Sequence, residues 1–247
     1  MAVLVPASLF ILLTVVVGGS RVYELSDKFL EMYQKDSRPW LVKFYAPWCH
    51  YCKQLEPVYM QVAQTLASEG SDVVVGRVDC TKWAAVSNAF PIRGFPTILF
   101  ISGGSVVEYD GDRSKDDIVG FAARLSGPVI NPVPDCGHLD LILERQSVFF
   151  LHIGNTIPNY FRQAASKYRS SSWFYHVNAT SCPSLGEGSH VVKGSAEKRI
   201  TDKYNEDLWN SSMSQWIKRE RFPQFVKVTP STLNRFVRSG KTPNYGD

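Results

Sequence analysis

The sequence predicts an α/β fold used twice in tandem, and three observations carry that prediction. Short runs of strand-forming residues alternate with segments of helical apolar spacing. A stretch holding Gly127, Pro128, Pro132 and Pro134 interrupts the alternation. Beyond it the same order of elements returns with different residues. A chain of 247 residues has room for one or two domains at about 150 residues each. The 44% hydrophobic and 20% charged content excludes collagen, wholesale disorder and a polytopic membrane protein. A net charge of +4, scattered along the chain, gives no footprint for nucleic acid.

Residues 1–20 read as a signal peptide, since Ala2 to Val17 carries no charge and Gly18, Gly19 and Ser20 are small residues suited to cleavage. Its apolar run reaches roughly 24 Å at about 1.5 Å per residue, short of a bilayer core of roughly 30 Å. The mature chain then has no membrane span unless this segment stays uncleaved. The sequons at Asn178 and Asn210 fit the same oxidising, glycosylating compartment.

The first domain, residues 21–127, opens with a helix over Asp27 to Lys35, where Phe29, Leu30, Met32 and Tyr33 have helical spacing. Trp40 to Ala46 is a buried strand. Cys49 to Ser68 is a helix with Leu55, Val58, Tyr59, Val62 and Leu66 on one face and Pro57 expected to kink it. A strand at Val73 to Val78, a short helix at Trp83 to Phe90 and two strands at Thr97 to Ile101 and Val106 to Tyr109 follow. Ser114 with Asp117 caps a last helix running to Leu125. The linker then leads into a second domain ending at residue 222. Its pattern is a helix at Leu139 to Arg145, a strand at Val148 to Ile153, a helix at Ile157 to Tyr168 and a strand at Trp173 to Val177. An antiparallel pair at His190 to Lys193 and Ile200 to Tyr204 and a closing helix at Leu208 to Arg221 complete it. Residues 223–247 form a tail in which Phe225 to Val228 has the character of a first strand of a third domain.

Cys49 and Cys52 carry the chemistry. They sit where a buried strand turns into a helix, so Cys49 lies among unpaired amides and the positive end of the helix dipole, which favour a thiolate. Exposure and a lowered pKa would make Cys49 the nucleophile and leave Cys52 to resolve the mixed disulfide. A zinc site would need two further ligands, and Cys136 and His138 fall in the other domain. No metal and no cofactor is expected, because the dithiol itself carries two electrons. Cys80 reads as a packing residue.

The run Phe44-Tyr45-Ala46-Pro47-Trp48-Cys49, with Cys52-Lys53 and Leu55-Glu56-Pro57, resembles the active-site segment of the protein disulfide isomerase family. Arg93-Gly94-Phe95-Pro96-Thr97-Ile98 is similar to that family's second signature. The resemblance is continuous over residues 23 to 127 and looser from Ser147 to Phe222, where Trp216 to Phe222 resembles the end of a redox-inactive domain of one membrane-anchored member. It implies two thioredoxin-like domains, the first redox-active and the second redox-inactive. It also implies catalytic roles for Cys49, Cys52, a cis-bonded Pro96, and Arg113 as the arginine that lowers the resolving thiol's pKa. Client proteins of the secretory pathway, recycling by glutathione or another oxidoreductase, and residence in the endoplasmic reticulum lumen are further implications. A secreted form stays open, because the carboxyl end is not a Lys-Asp-Glu-Leu type signal.

Two departures from the family pattern would tune the site. His50-Tyr51 replaces the usual Gly-His pair, moving the imidazole next to the nucleophile and placing a phenol before Cys52. Lys43 stands where many relatives carry a buried carboxylate. It either snorkels to solvent without a role or acts as a cation on the Cys52 thiolate. In a thioredoxin-like second domain Cys136 and Cys182 follow parallel neighbouring strands, so a structural disulfide between them is possible. Ile153-Gly154-Asn155-Thr156 stands where the first domain has its cysteines, and Trp173, Phe174 and Tyr175 either pack the core or hold clients. His138, His152, His176 and His190 have no ligand spacing. The function expected is thiol-disulfide exchange on client cysteines, the alternative being a non-catalytic redox-sensitive chaperone.

Overall fold

The computed structural model describes residues 22–186, 190–195, 199–204 and 213–222. The expected signal peptide, the tail and Asn210 lie outside the described residues. In the first domain the elements are β1 (Tyr23–Leu25), α1 (Phe29–Lys35), β2 (Trp40–Tyr45), α2 (His50–Ser68), β3 (Val74–Asp79), α3 (Ala84–Asn88), β4 (Thr97–Ser102), β5 (Ser105–Glu108) and α4 (Lys115–Ser126). The second comprises β6 (Asn131–Val133), α5 (Cys136–Arg145), β7 (Phe149–Ile153), α6 (Asn159–Tyr168), β8 (Trp173–Val177), a 3-10 turn (Pro183–Leu185), β9 (His190–Ser195), β10 (Arg199–Lys203) and α7 (Met213–Glu220). The helix expected from Leu208 is described only from Met213.

Each sheet has five strands, ordered β1-β3-β2-β4-β5 and β6-β8-β7-β9-β10. In both, the first three strands of that order are parallel and the last two are added antiparallel. The two halves therefore share one topology. β1 was missing from the sequence pattern, and β6, implied there only by the strand expected before Cys136, lies in the stretch read as linker. At three residues each they are too short to show alternation. Both are edge strands, where Pro132 costs little because its missing N–H faces no partner.

The sheets are covered on both faces, which explains why the inner strands read as near-continuous apolar runs. In the first domain Leu55, Tyr59 and Leu66 of α2 and Phe121 of α4 pack on Leu41, Ile98 and Phe100. The other face buries Phe29 of α1, Val86 of α3 and Phe90 against Val42, Phe44 and Leu99. Each fully buried side chain of this kind contributes about 1.5–3 kcal/mol. Tyr59 ties α2 down further, its hydroxyl donating to the carbonyls of Leu41 and Gly76 at 2.9 Å each. In the second domain α6 and α7 cover one face through Phe161, Trp216 and Ile217. The other carries Leu139 and Leu143 of α5. Phe174 and Tyr175 are buried and Trp173 half-buried against that core, so these aromatics pack rather than offer a client surface.

Two arginines join the domains. Arg169, at the end of α6, donates to the carbonyls of Arg124, Leu125 and Gly127 at the end of α4. Arg124 returns bonds to the carbonyls of Arg169 and Ser170. Each guanidinium thus satisfies the orphan carbonyls of the other domain's helix, where a cation also meets the negative end of the dipole.

Candidate active site

β2 delivers the chain into the site through the loop 46–49, and α2 begins at its end. The Cys49 amide bonds to the Ala46 carbonyl at 3.0 Å. Extended backbone at Cys49, φ −73° and ψ 115°, makes it the N-cap of α2, and its sulfur accepts from the Cys52 amide at 3.2 Å. This capping bond places Cys52 one turn into the helix. The two cysteines are joined as a disulfide with Cα atoms 5.2 Å apart, inside the normal range for the bond. Their surroundings are Ala46, Tyr45 and Phe95.

The expectation that exposure distinguishes Cys49 needs correction for this oxidised state. Cys49 is 5% exposed and Cys52 3%, so burial hardly separates them. What separates them is position: the Cys49 sulfur receives an amide N–H at the helix terminus, the geometry that stabilises a thiolate once the bond is reduced. Around them the surface is aromatic, with Trp48 72% and Tyr51 61% exposed. Trp48 meets the Phe95 ring edge to face at 6.2 Å.

The Phe95-Pro96 bond is cis. Pro96 leads into β4, and the turn before it is fixed by the Thr97 hydroxyl, which donates to the Gly94 carbonyl at 2.8 Å. Phe95 contacts the Cys49–Cys52 cluster directly, bringing the segment before β4 to the disulfide. Arg113, in the loop between β5 and α4, is exposed and lies over the Tyr51 ring at 5.7 Å. His50 is exposed, with its ring 5.8 Å from that of Tyr51.

Lys43 does not snorkel. It is fully buried on the helix-facing side of β2, its ammonium paired with Glu56 of α2, and Glu56 is paired in turn with Arg77 of β3. Arg77 donates to Glu24 at 2.6 Å, and the Tyr45 hydroxyl donates to the other Glu24 oxygen at 2.9 Å. Two cations and two carboxylates thus alternate beneath the site. The ammonium also lies 5.0 Å from the Tyr59 ring centre and 5.5 Å from that of Tyr45. Burial pushes the Lys43 ammonium pKa down, opposed by its bond to Glu56. Burial and the bond to Glu24 push the Tyr45 phenol up to about 12. Glu56 and Arg77 escaped the sequence reading, although Glu56 lies four residues after Cys52, on the same side of α2.

The remaining cysteines are structural in placement. Cys80 is buried, its thiol pushed up to about 11 by burial, which leaves it protonated and inert. Cys136, the first residue of α5, is joined to Cys182, beyond β8, with Cα atoms 5.1 Å apart. Asn178 is half-buried in the turn after β8, its side-chain oxygen accepting from the amide and hydroxyl of Thr180. His152 and His176, which have no ligand spacing in the sequence, are register partners on β7 and β8 with Nδ1 atoms 3.0 Å apart. The interior of the sheet makes them a pair, and burial pushes His152 down to about 4. Where the first domain has its cysteines, the second has a connection over 154–158 instead of 46–49. Its helix is capped by Pro158 and carries Phe161 at the position corresponding to Cys52. The counterparts of the two cysteines are therefore Pro158 and Phe161 rather than residues of the 153–156 run.

A disulfide at the first turn of a helix, fed by the central strand and flanked by a cis-proline, defines a thioredoxin-type dithiol domain. Residues 21–124 match the thioredoxin family model. That segment is a thioredoxin domain, and the chain is similar in sequence to the protein disulfide-isomerases. It is 33% identical over 232 residues to protein disulfide-isomerase TMX3 of Xenopus laevis, covering 93% of this chain and 51% of that protein. With Homo sapiens TMX3 the identity is 34% over 233 residues, covering 94% and 51%. Among solved structures, the first thioredoxin domain of mouse protein disulfide-isomerase A4 is 34% identical. That match covers 47% of this chain and 83% of that one, with a TM-score of 0.42. The chain spans about half the length of the curated relatives it matches. Among the described residues no helix is long and apolar enough to cross a membrane.

Proposed function

We propose that the chain is a thiol-disulfide oxidoreductase of the protein disulfide isomerase type, acting on cysteines of client proteins through a mixed disulfide on Cys49. The observation that carries this reading is the sulfur of Cys49 capping α2 while bonded to Cys52, with the cis Phe95-Pro96 segment against the pair. Reduced, Cys49 would attack a client disulfide, Cys52 would resolve the intermediate, and Pro96 would shape the surface on which the client strand lies. Arg113, over the Tyr51 ring, supplies a cation for the resolving step, and His50 and Tyr51 modify the entrance. Exposed Trp48 and Tyr51 suit unfolded polypeptide as the substrate class.

The second domain is proposed to be redox-inactive and supportive. Pro158 and Phe161 offer no thiol at its helix start, and its two cysteines are bonded to each other. The endoplasmic reticulum lumen is the proposed location, in keeping with the apolar leader, the sequons at Asn178 and Asn210, and two disulfides. Glutathione or another oxidoreductase would recycle the pair.

Reactivation of scrambled ribonuclease by the wild-type chain and by Cys52→Ala tests the assignment. Cysteine-dependent reactivation is expected. Equal activity of the two proteins would instead support a chaperone that holds clients without exchanging their disulfides. Equilibration with glutathione then gives the direction: a potential near −270 mV, about that of thioredoxin, favours a reductase, and one near about −180 mV an oxidase or isomerase.

A further inference from the structure

Tyr51 immediately precedes Cys52 and is 61% exposed. Its ring carries the Arg113 guanidinium at 5.7 Å on one side of the site and meets the His50 imidazole at 5.8 Å. Among the described residues no carboxylate forms an ion pair with Arg113, although Asp110 and Asp112 share its loop. The ring contact is what draws this loop cation to the first turn of α2. An exposed arginine without such a partner samples many rotamers, most of them directed into solvent. A cation held over an aromatic face keeps its charge and stays free to exchange partners.

Resting on the oxidoreductase reading above, we propose that Tyr51 is a positioning residue that holds Arg113 beside Cys52, so that the resolving thiolate is stabilised as it forms. The step balances as follows. The Cys49 thiolate attacks a client disulfide, forming a Cys49–client bond and releasing one client sulfur as a thiolate, which takes a proton from water. Cys52 gives its proton to water, and its thiolate attacks the Cys49 sulfur. The Cys49–Cys52 bond forms as the second client sulfur leaves and is protonated. Two electrons pass from the dithiol to the client. The guanidinium moves from the neutral ring to the new anion at Cys52, where the attraction is stronger. The departure from Gly-His at positions 50 and 51 thereby acquires a role: an aromatic face at position 51 holds the cation at the mouth of the site.

The test uses the reduced full chain and a cysteine-containing peptide disulfide, with formation and resolution of the mixed disulfide followed as separate rates across a pH series. Tyr51→Ala is expected to slow resolution about two- to five-fold relative to formation and to raise the pH midpoint of resolution. Tyr51→Phe, which keeps the aromatic face, should restore the rate lost in Tyr51→Ala. Arg113→Ala should slow resolution at least as much, and adding Tyr51→Ala to it should change nothing further. Additive losses in the double variant, an unchanged or faster resolution in Tyr51→Ala, or failure of Tyr51→Phe to restore the rate would overturn the proposal while leaving the oxidoreductase assignment intact. A wild-type chain that forms no mixed disulfide would overturn both.

Discussion

The two domains have the same strand order and the same sequence of parallel and antiparallel pairings, yet each fills the region behind its central strand differently. On the helix-facing side of β2 the first domain buries Lys43, with Glu56 and Arg77 as partners. On the corresponding side of β7 the second buries His152 against His176. The first arrangement keeps fixed charges under a cysteine-bearing helix, and the second keeps neutral rings under a helix with Pro158 at its N-cap. A second contrast lies on the opposite face. Where the first domain has α3 after its third strand, the described residues of the second have the 3-10 turn Pro183–Leu185 and the Cys136–Cys182 bond. One domain covers this part of its sheet with α3 and holds its disulfide at the start of α2; the other, among the described residues, has the 3-10 turn in that place and a disulfide that joins the start of α5 to the segment beyond β8. A shared topology therefore does not assign a shared role, because the role depends on which few positions hold sulfur and charge.

The hardest blow to this contrast is to the active pair. Cys49→Ser should reduce client disulfide exchange to background, since Cys136, the other cysteine at the start of an α-helix, is bonded to Cys182 and Cys80 is buried; persistent turnover would mean that the second domain or Cys80 exchanges disulfides. Next in size is the staple. Cys136→Ala with Cys182→Ala opens a loop of 46 residues' separation and should cost about 4 kcal/mol in the second domain in the chain-entropy picture. Denaturant unfolding followed separately for each domain would register it, and the potential of the Cys49/Cys52 couple should not move.

Glu56→Ala leaves the buried Lys43 ammonium with no carboxylate and should destabilise the first domain by about 3 kcal/mol. Replacing both together, Lys43→Met with Glu56→Met, should cost much less. Unfolding midpoints of the single and double variants decide whether the pair is specific rather than merely tolerated. The smallest effect expected is acid sensitivity confined to the second domain. His152 has a folded pKa of about 4 against an ordinary 6.5, so the unfolded chain binds the proton first and stability falls as pH drops from about 6.5 towards 4. At pH 5.5 the loss relative to neutrality is about 1 kcal/mol. Urea unfolding at the two pH values checks it, and His152→Phe should flatten the difference; an acid loss of the same size in the first domain would erase the contrast.

Much of the first domain was legible because its elements are long and periodic. The apolar face of α2, the capping residue Ser114 and the largely apolar stretches of β2 and β4 each declare their state locally. Trp173–Val177 in the second domain reads as a strand for the same reason. The two three-residue edge strands did not declare themselves, since they acquire strand geometry only by pairing with β3 and β8. At the site, the spacing of Cys49 and Cys52 and the run before Pro96 could be read directly. Lys43 could not: a lysine in a strand is indistinguishable from a solvated one until its partner is known.

The sequence by itself determined which residues form the repeating strands and helices, where the two thiols meet a helix start, and which proline follows Phe95. These depend on neighbours within one turn or one strand, where backbone preference and apolar periodicity act. Tertiary structure alone decided that Lys43 is buried with Glu56, that His152 faces His176, that Arg113 rests on Tyr51, and that Arg124 and Arg169 clasp the domains. Each of these joins groups at least 13 residues apart. Their meeting is set by strand register and helix packing, and the desolvation that makes them matter exists only after the chain has folded around them.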